Sequence, residues 1–252
     1  MSVPQVVLTS SRIAPTTKCF QSIMSDQPTH DHFFGGQLLL GLLLFIGMTL
    51  TLAALAEHVM TGRPLTIVDQ QLSEWLVRSR TPALTTFFIV VTSLGSTAVG
   101  VIVAAVLGVY LLMRGQRYWL AATTLSIGGG MLLNRLLKVA FQRARPELDD
   151  PIRTFAGYSF PSGHTVTATV VFGTLALLLF VRVRSLRARA TVLVLASLVI
   201  VMVGFSRIYL GAHYLTDVLA AIAEGIAWVS LSFTLVTFWK RRRTRRSTNY
   251  TK

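Results

Sequence analysis

Ser206-Arg-Ile-Tyr-Leu-Gly-Ala-His-Tyr-Leu-Thr-Asp217 sets an arginine, a histidine and an aspartate between two long apolar runs. His213 and Asp217 are four residues apart, a spacing that puts both on one face of a helix, one turn from each other. A carboxylate so placed accepts a hydrogen bond from one imidazole nitrogen and leaves the other as a nucleophile or base. Arg207 stands one short loop away and offers five fixed donors to an oxyanion such as phosphate. Polar groups at this depth admit two readings. Either this is a membrane-surface loop in which His213 merely satisfies Asp217, or it is a reaction centre. The company it keeps decides.

Of the 252 residues, 52% are hydrophobic and only 13% charged, far too apolar for a soluble domain. The apolar residues fall into runs near the roughly 20 residues that cross a bilayer. The expected architecture is all-α: a polytopic membrane helical bundle with six transmembrane helices. The spans are expected at about 36–56, 96–113, 118–138, 162–181, 190–209 and 214–239. Segment 57–95, with Leu72, Trp75, Leu76 and Arg78 at helical spacing, reads as short interfacial helices between the first two spans. Within it, 84–94 is open to a re-entrant or seventh crossing. Residues 1–35 read as a disordered cytoplasmic leader, 36–239 as the six-span domain, and 240–252 as a basic cytoplasmic tail. Met24 offers an alternative start, and no cleavable signal peptide is expected.

The formal charge of +14 raises nucleic acid as a partner, but its placement argues against that. Arg114 and Arg117, the cluster Arg182 to Arg189, and the tail from Lys240 all fall at ends of apolar runs. With six spans these ends share one side, which the positive-inside rule makes cytoplasmic. The loop 139–160 and the turn 207–213 then face outward. The single cysteine, Cys19, excludes an internal disulfide and a Cys-based metal site. His30 and His32 in the leader read as surface histidines rather than metal ligands.

Two further polar clusters belong to the outward side. Lys138 and Arg145, with Pro146 after them, are seven residues apart, two turns on one helix face, so both cations can converge on one anion. Pro161-Ser162-Gly163-His164 opens the fourth span. There Ser162 can cap the helix, its unpaired amides form an anion site, and Gly163 allows close backbone approach. His164 is placed to hand a proton to a leaving oxygen. Each cluster alone has a bland reading, as snorkelling cations or an ordinary capped helix start. Together they set two histidines, a carboxylate, a lysine and two arginines at one depth, which packing alone does not require.

These residues resemble the type 2 phosphatidic acid phosphatase family, itself similar to vanadium haloperoxidases and class A acid phosphatases. Its pattern is Lys-x6-Arg-Pro, then Pro-Ser-Gly-His, then Ser-Arg-x5-His-x3-Asp. The chain carries all three parts at Lys138, Arg145 and Pro146, at Pro161 to His164, and at Ser206, Arg207, His213 and Asp217. The resemblance implies that His213 attacks phosphorus and forms a phosphohistidine, held by Asp217. His164 would protonate the leaving group and then activate water. Lys138, Arg145, Arg207, Ser162 and the Gly163 amide would bind the phosphoryl oxygens. It also implies metal independence, no cofactor, and a membrane lipid phosphate as substrate. Undecaprenyl diphosphate, phosphatidylglycerophosphate and phosphatidate are the candidates. The expected setting is a bacterial inner membrane, with the site extracytoplasmic and the C-terminus cytoplasmic. A phosphotransferase passing the group to a lipid or sugar acceptor would use the same residues. A transporter would need broken helices or repeats, and neither is evident.

Outside the signature, Glu224 lies two turns beyond Asp217 and needs a partner. Arg135, one turn before Lys138, is the expected one. Gly128-Gly129-Gly130 predicts close helix packing against the second or fourth span. Arg143, Arg153 and Tyr158 are expected near the substrate headgroup, with Glu147, Asp149 and Asp150 as solvent-facing charges.

Overall fold

The structure, a computed structural model, describes residues 28–62, 65–147 and 157–249. The chain divides into a unit of residues 1–37 and a body from Leu38 to Lys252. Among the described residues every regular element is a helix. In order they are α1 (Pro28–Thr61), α2 (Leu65–Arg78), α3 (Pro82–Ser93), α4 (Thr97–Met113), α5 (Arg117–Phe141), α6 (Gly163–Phe180), α7 (Leu186–Tyr209) and α8 (Leu215–Asn249). Most of the expected leader, with Cys19 and Met24, lies outside the described residues. Its end, with His30 and His32, forms the start of α1.

Among the described residues, five stretches are long and apolar enough to cross a membrane: Gly36–Thr61, Pro82–Met113, Gly163–Phe180, Leu186–Tyr209 and Leu215–Arg243. The second takes in α3, which from sequence belongs with the interfacial segment. Helix α5 is not among the five. It carries Arg117, Arg135 and Lys138 and turns Thr123, Ser126 and Asn134 inward, so its hydropathy is lower.

The break between α3 and α4 has a local cause. Ser96 accepts a hydrogen bond from the Val99 amide (3.3 Å), starting a new helix. A Cβ at the preceding Gly95 would lie 2.5 Å from the His164 carbonyl oxygen and 2.6 Å from Val203 Cγ1. Only glycine lets this link lie against the opening turn of α6.

Helix α6 is the axis of the bundle. Val166, Val170 and Val171 pack with Ile127 of α5 and with Ala221 and Val229 of α8. The triple glycine serves α5's approach to α8 and α6. A Cβ at Gly129 would sit 2.7 Å from Trp228 Cζ2, and one at Gly130 2.7 Å from Val170 Cγ1. The expectation of the fourth span as partner is met by α6. The second partner is α8, not the second span, because Trp228 donates to the Leu125 carbonyl (2.9 Å) and fills the space the glycines leave.

A second core pins α2 and α3 to the α7–α8 junction through Leu76, Phe88, Ile208, Tyr209 and Val218. Arg80 Nε donates to the Tyr209 carbonyl and the Thr81 amide to its hydroxyl, each at 3.1 Å. At the opposite end, Arg182 reaches Gln116 Oε1 (2.9 Å), and Tyr118 packs edge-on against Trp239 (5.7 Å between centroids). The basic ends of α4, α6 and α8 therefore lie together, and the polar motifs collect at the other end.

Candidate active site

The chain reverses between α7 and α8 in a tight turn. Its amides at Ala212 and His213 donate to the Arg207 carbonyl at 3.0 and 3.3 Å, and Gly211 takes a positive φ of 70°. His213 sits in this turn and Asp217 in the first turn of α8. Their spacing is thus spent across a helix start rather than along one helical face. Asp217 Oδ2 accepts from the Tyr214 amide at 3.0 Å, which caps α8 and fixes the carboxylate. His213 Nδ1 then lies 3.4 Å from the same oxygen. Both side chains are buried, with 2% and 0% exposure.

The other imidazole nitrogen, Nε2, points towards Arg145, whose NH1 is 3.4 Å away. Burial pushes the imidazole of His213 down to about 3, with Asp217 only partly opposing, so the ring stays neutral and Nε2 keeps its lone pair at ordinary pH.

The two cations of the first motif arrive by different routes. Helix α5 ends at Phe141, where Gln142 adopts a left-handed φ of 47° and its amide closes on Lys138 O. Lys138 is therefore on the last turn, and Arg145 lies beyond the helix on an irregular segment. The expected shared helix face is not formed, because the stop comes before Pro146. The convergence survives. Lys138 Nζ donates to the Tyr158 and Ser159 carbonyls (2.8 and 3.1 Å). Arg145 donates to Gly157 O (3.0 Å) and Ala212 O (2.7 Å), bridging the loop to the histidine turn.

Ser162 occupies the N-cap of α6 without the expected side-chain cap. Its hydroxyl accepts from Thr165 Oγ1 (2.9 Å) instead, and its amide donates to the Asp217 carbonyl (3.1 Å). That bond ties the second motif to the third. Gly163 faces α5, where a Cβ would meet Asn134 Oδ1 at 3.3 Å. His164 lines a cavity of about 370 Å³ between α5 and α6, together with Lys138, Asn134, Arg135 and Gly163. Both histidines lie within electrostatic reach of Lys138, Arg145 or Arg207, so they share one cationic neighbourhood. Arg207 is buried and donates to Thr92 Oγ1 (2.9 Å), joining α7 to α3.

Three residues outside the motifs complete the cluster. Arg143, 11% exposed, donates to Asp217 Oδ1 (2.6 Å), Thr216 Oγ1 (2.7 Å) and Asp69 Oδ2 (2.8 Å), and stacks over Tyr214 at 4.2 Å. It is committed to carboxylates and not to a headgroup, contrary to expectation. Asp69 of α2, 1% exposed, also accepts from the Thr216 amide (3.0 Å) and hydroxyl. Ser159 donates to Asp217 Oδ2 and approaches His213 Nδ1 (3.3 Å). No spacing rule marks any of them: Asp69 is 147 residues from Thr216. Arg153, Asp149 and Asp150 lie outside the described residues. Tyr158 gives only its carbonyl, to Lys138, and Glu147 is exposed as expected.

The expected Arg135–Glu224 pair is not made. Glu224 is buried and its Oε2 accepts from Asn134 Nδ2 (3.0 Å), whereas Arg135 is exposed on the cavity wall. The two neighbours on α5 point in different directions, and the amide, one residue earlier, is the one that faces α8.

Comparison with known proteins places the chain in a family. Residues 118–242 match the PAP2 superfamily. Phosphatidylglycerophosphatase B of Bacillus subtilis is 30% identical over 159 residues, 63% of this chain and 78% of that protein. The lipid A 1-phosphatase of Rhizobium johnstonii is 38% identical over 114 residues, 42% of each chain. The crystal structure of a transmembrane PAP2-type phosphatidylglycerolphosphate phosphatase from Bacillus subtilis superimposes with a TM-score of 0.69 at 28% identity. The match covers 79% of this chain and 96% of that one. With its helical bundle, its apolar spans and these relatives, the chain belongs to the PAP2 superfamily.

Proposed function

We propose that this membrane phosphatase hydrolyses the terminal phosphate of a lipid through a phosphohistidine on His213, at the extracytoplasmic face. The observation that carries the reading is the buried His213, with Nδ1 towards Asp217 and Nε2 towards Arg145.

In the proposed reaction, the Nε2 lone pair attacks phosphorus and the bond to the leaving oxygen breaks, with His164 giving that oxygen its proton. Asp217 holds the Nδ1 proton and offsets the charge the ring gains. A water then attacks the phosphohistidine while His164 takes its proton, which releases inorganic phosphate and restores both histidines. Lys138, Arg145 and Arg207 neutralise the equatorial oxygens, and the Ser162 hydroxyl keeps one proton to donate. Cations in these positions supply what a divalent metal would otherwise supply.

Helix α5 serves as a sixth crossing in this reading. Six crossings put the clustered basic ends of α4, α6 and α8 in the cytoplasm and the histidines outside. The lipid headgroup reaches them from the outer leaflet. Phosphatidylglycerophosphate, undecaprenyl diphosphate and phosphatidate are the substrates to test.

The experiment is phosphate release from that panel by purified protein in detergent, with and without EDTA. Release from at least one lipid, unchanged by chelation, is expected. No release from any lipid, or reversible loss with EDTA, would refute the reading.

A further inference from the structure

Arg135 sits one turn before Lys138 on α5, within the part of the helix that would cross the bilayer. Its expected partner is already engaged, since Asn134 holds Glu224. Among the described residues no hydrogen bond or ion pair is formed by Arg135, and its side chain lines the same cavity as Lys138 and His164. A guanidinium at this depth is costly unless an anion meets it.

The cavity is graded. Lys138 and His164 mark the reactive end. Arg135 comes next, its Cα about 4.5 Å further along the axis by the helical rise. Met131, Leu132 and Val166 add an apolar wall suited to a hydrocarbon chain. A lipid entering along this wall presents its terminal phosphate to the histidines. The group on its lipid side then falls beside Arg135. In the proposed reaction one phosphomonoester is met by Lys138, Arg145 and Arg207, so a fourth cation exceeds what a single phosphate uses.

We propose that Arg135 binds a second, uncleaved phosphate on the lipid side of the scissile one. The preferred substrate then carries two phosphoryl groups, either as a diphosphate or as a phosphodiester ending in a phosphomonoester. Arg135 acts in binding and takes no part in the bond changes. The inference rests on the phosphatase reading above and narrows its substrate class.

The test is steady-state phosphate release by the purified full chain from three lipids: a polyprenyl diphosphate, phosphatidylglycerophosphate and phosphatidate. Arg135→Gln should lower kcat/KM about tenfold or more on a two-phosphate lipid, through KM, the scale of a lost charge-assisted hydrogen bond. Phosphatidate turnover should change by less than about threefold, and Arg135→Lys should recover part of the loss. A loss confined to the diphosphate or to phosphatidylglycerophosphate identifies which headgroup the arginine reads. Equal losses on all three lipids, or none on any, would overturn the assignment. So would a wild-type protein that hydrolyses phosphatidate alone, a result that leaves the phosphatase reading standing. A wild type inactive on all three defeats that reading and this inference together.

Discussion

Helix α8 carries two buried carboxylates, and the structure treats them differently. Asp217, in its first turn, is met by the Tyr214 amide, the Ser159 hydroxyl, the Arg143 guanidinium and the His213 ring. Glu224, two turns deeper, has one oxygen on Asn134 and a second, Oε1, without a hydrogen bond. A carboxylate with four donors holds its neighbours in place. One with a single amide partner has far less to hold. The two acids are alike in burial and differ in the number and charge of their donors.

The largest expected effect falls on the upper carboxylate. Asp217→Asn keeps the shape but removes the charge that holds the Nδ1 proton of His213. We expect kcat to fall by about 10³–10⁴, the scale seen when a carboxylate orienting a catalytic histidine is made neutral, with KM little changed. Steady-state kinetics on the best lipid of the panel measure this. A loss under tenfold would place Asp217 with Glu224 and erase the contrast.

Next in size is Arg143→Ala, which leaves Asp69 and Asp217 facing each other's charge without their shared cation. Breaking a buried ion network of this kind costs about 3–5 kcal/mol. Thermal unfolding in detergent should show a clearly lower midpoint, with activity reduced even where the protein stays folded. An unchanged midpoint would mean that α2 is not tied to the site through this arginine.

The smallest effect is expected below. Glu224→Gln preserves an acceptor for Asn134 and removes an ionisable group from the bundle interior, so activity should stay within about threefold and stability should hold or rise. A large loss of turnover would sharpen the comparison in the other direction, by making the deeper acid part of the chemistry.

The three motifs were legible in sequence because each is local. Lys138 with Arg145, Ser162 to His164, and Arg207 to Asp217 each declare themselves by spacing within a few turns. What spacing misjudged was the backbone between them. Gln142 ends α5 early, so Arg145 comes in on a loop, and α8 starts at Leu215, so His213 precedes the helix. The supporting residues were not legible. Asp69 sits in a segment whose composition suggests only an interfacial helix, and its partners Arg143 and Thr216 are far away in the chain. Ser159 is an ordinary loop serine until the fold brings it to Asp217. Arg135 and Asn134 are adjacent in sequence, and only the direction α5 presents to α8 decides which one meets Glu224. Apolar periodicity finds helices; it does not rank the polar residues on their inner faces.

In the proposed reaction His213 is the residue that becomes phosphorylated. The direct measurement is trapping of the phosphoenzyme with a ³²P-labelled lipid phosphate, quenched in alkali, under which phosphohistidine survives. Label on the wild type that disappears in His213→Ala, while that variant still binds the lipid, is the predicted result. Label retained in His213→Ala would contradict the claim.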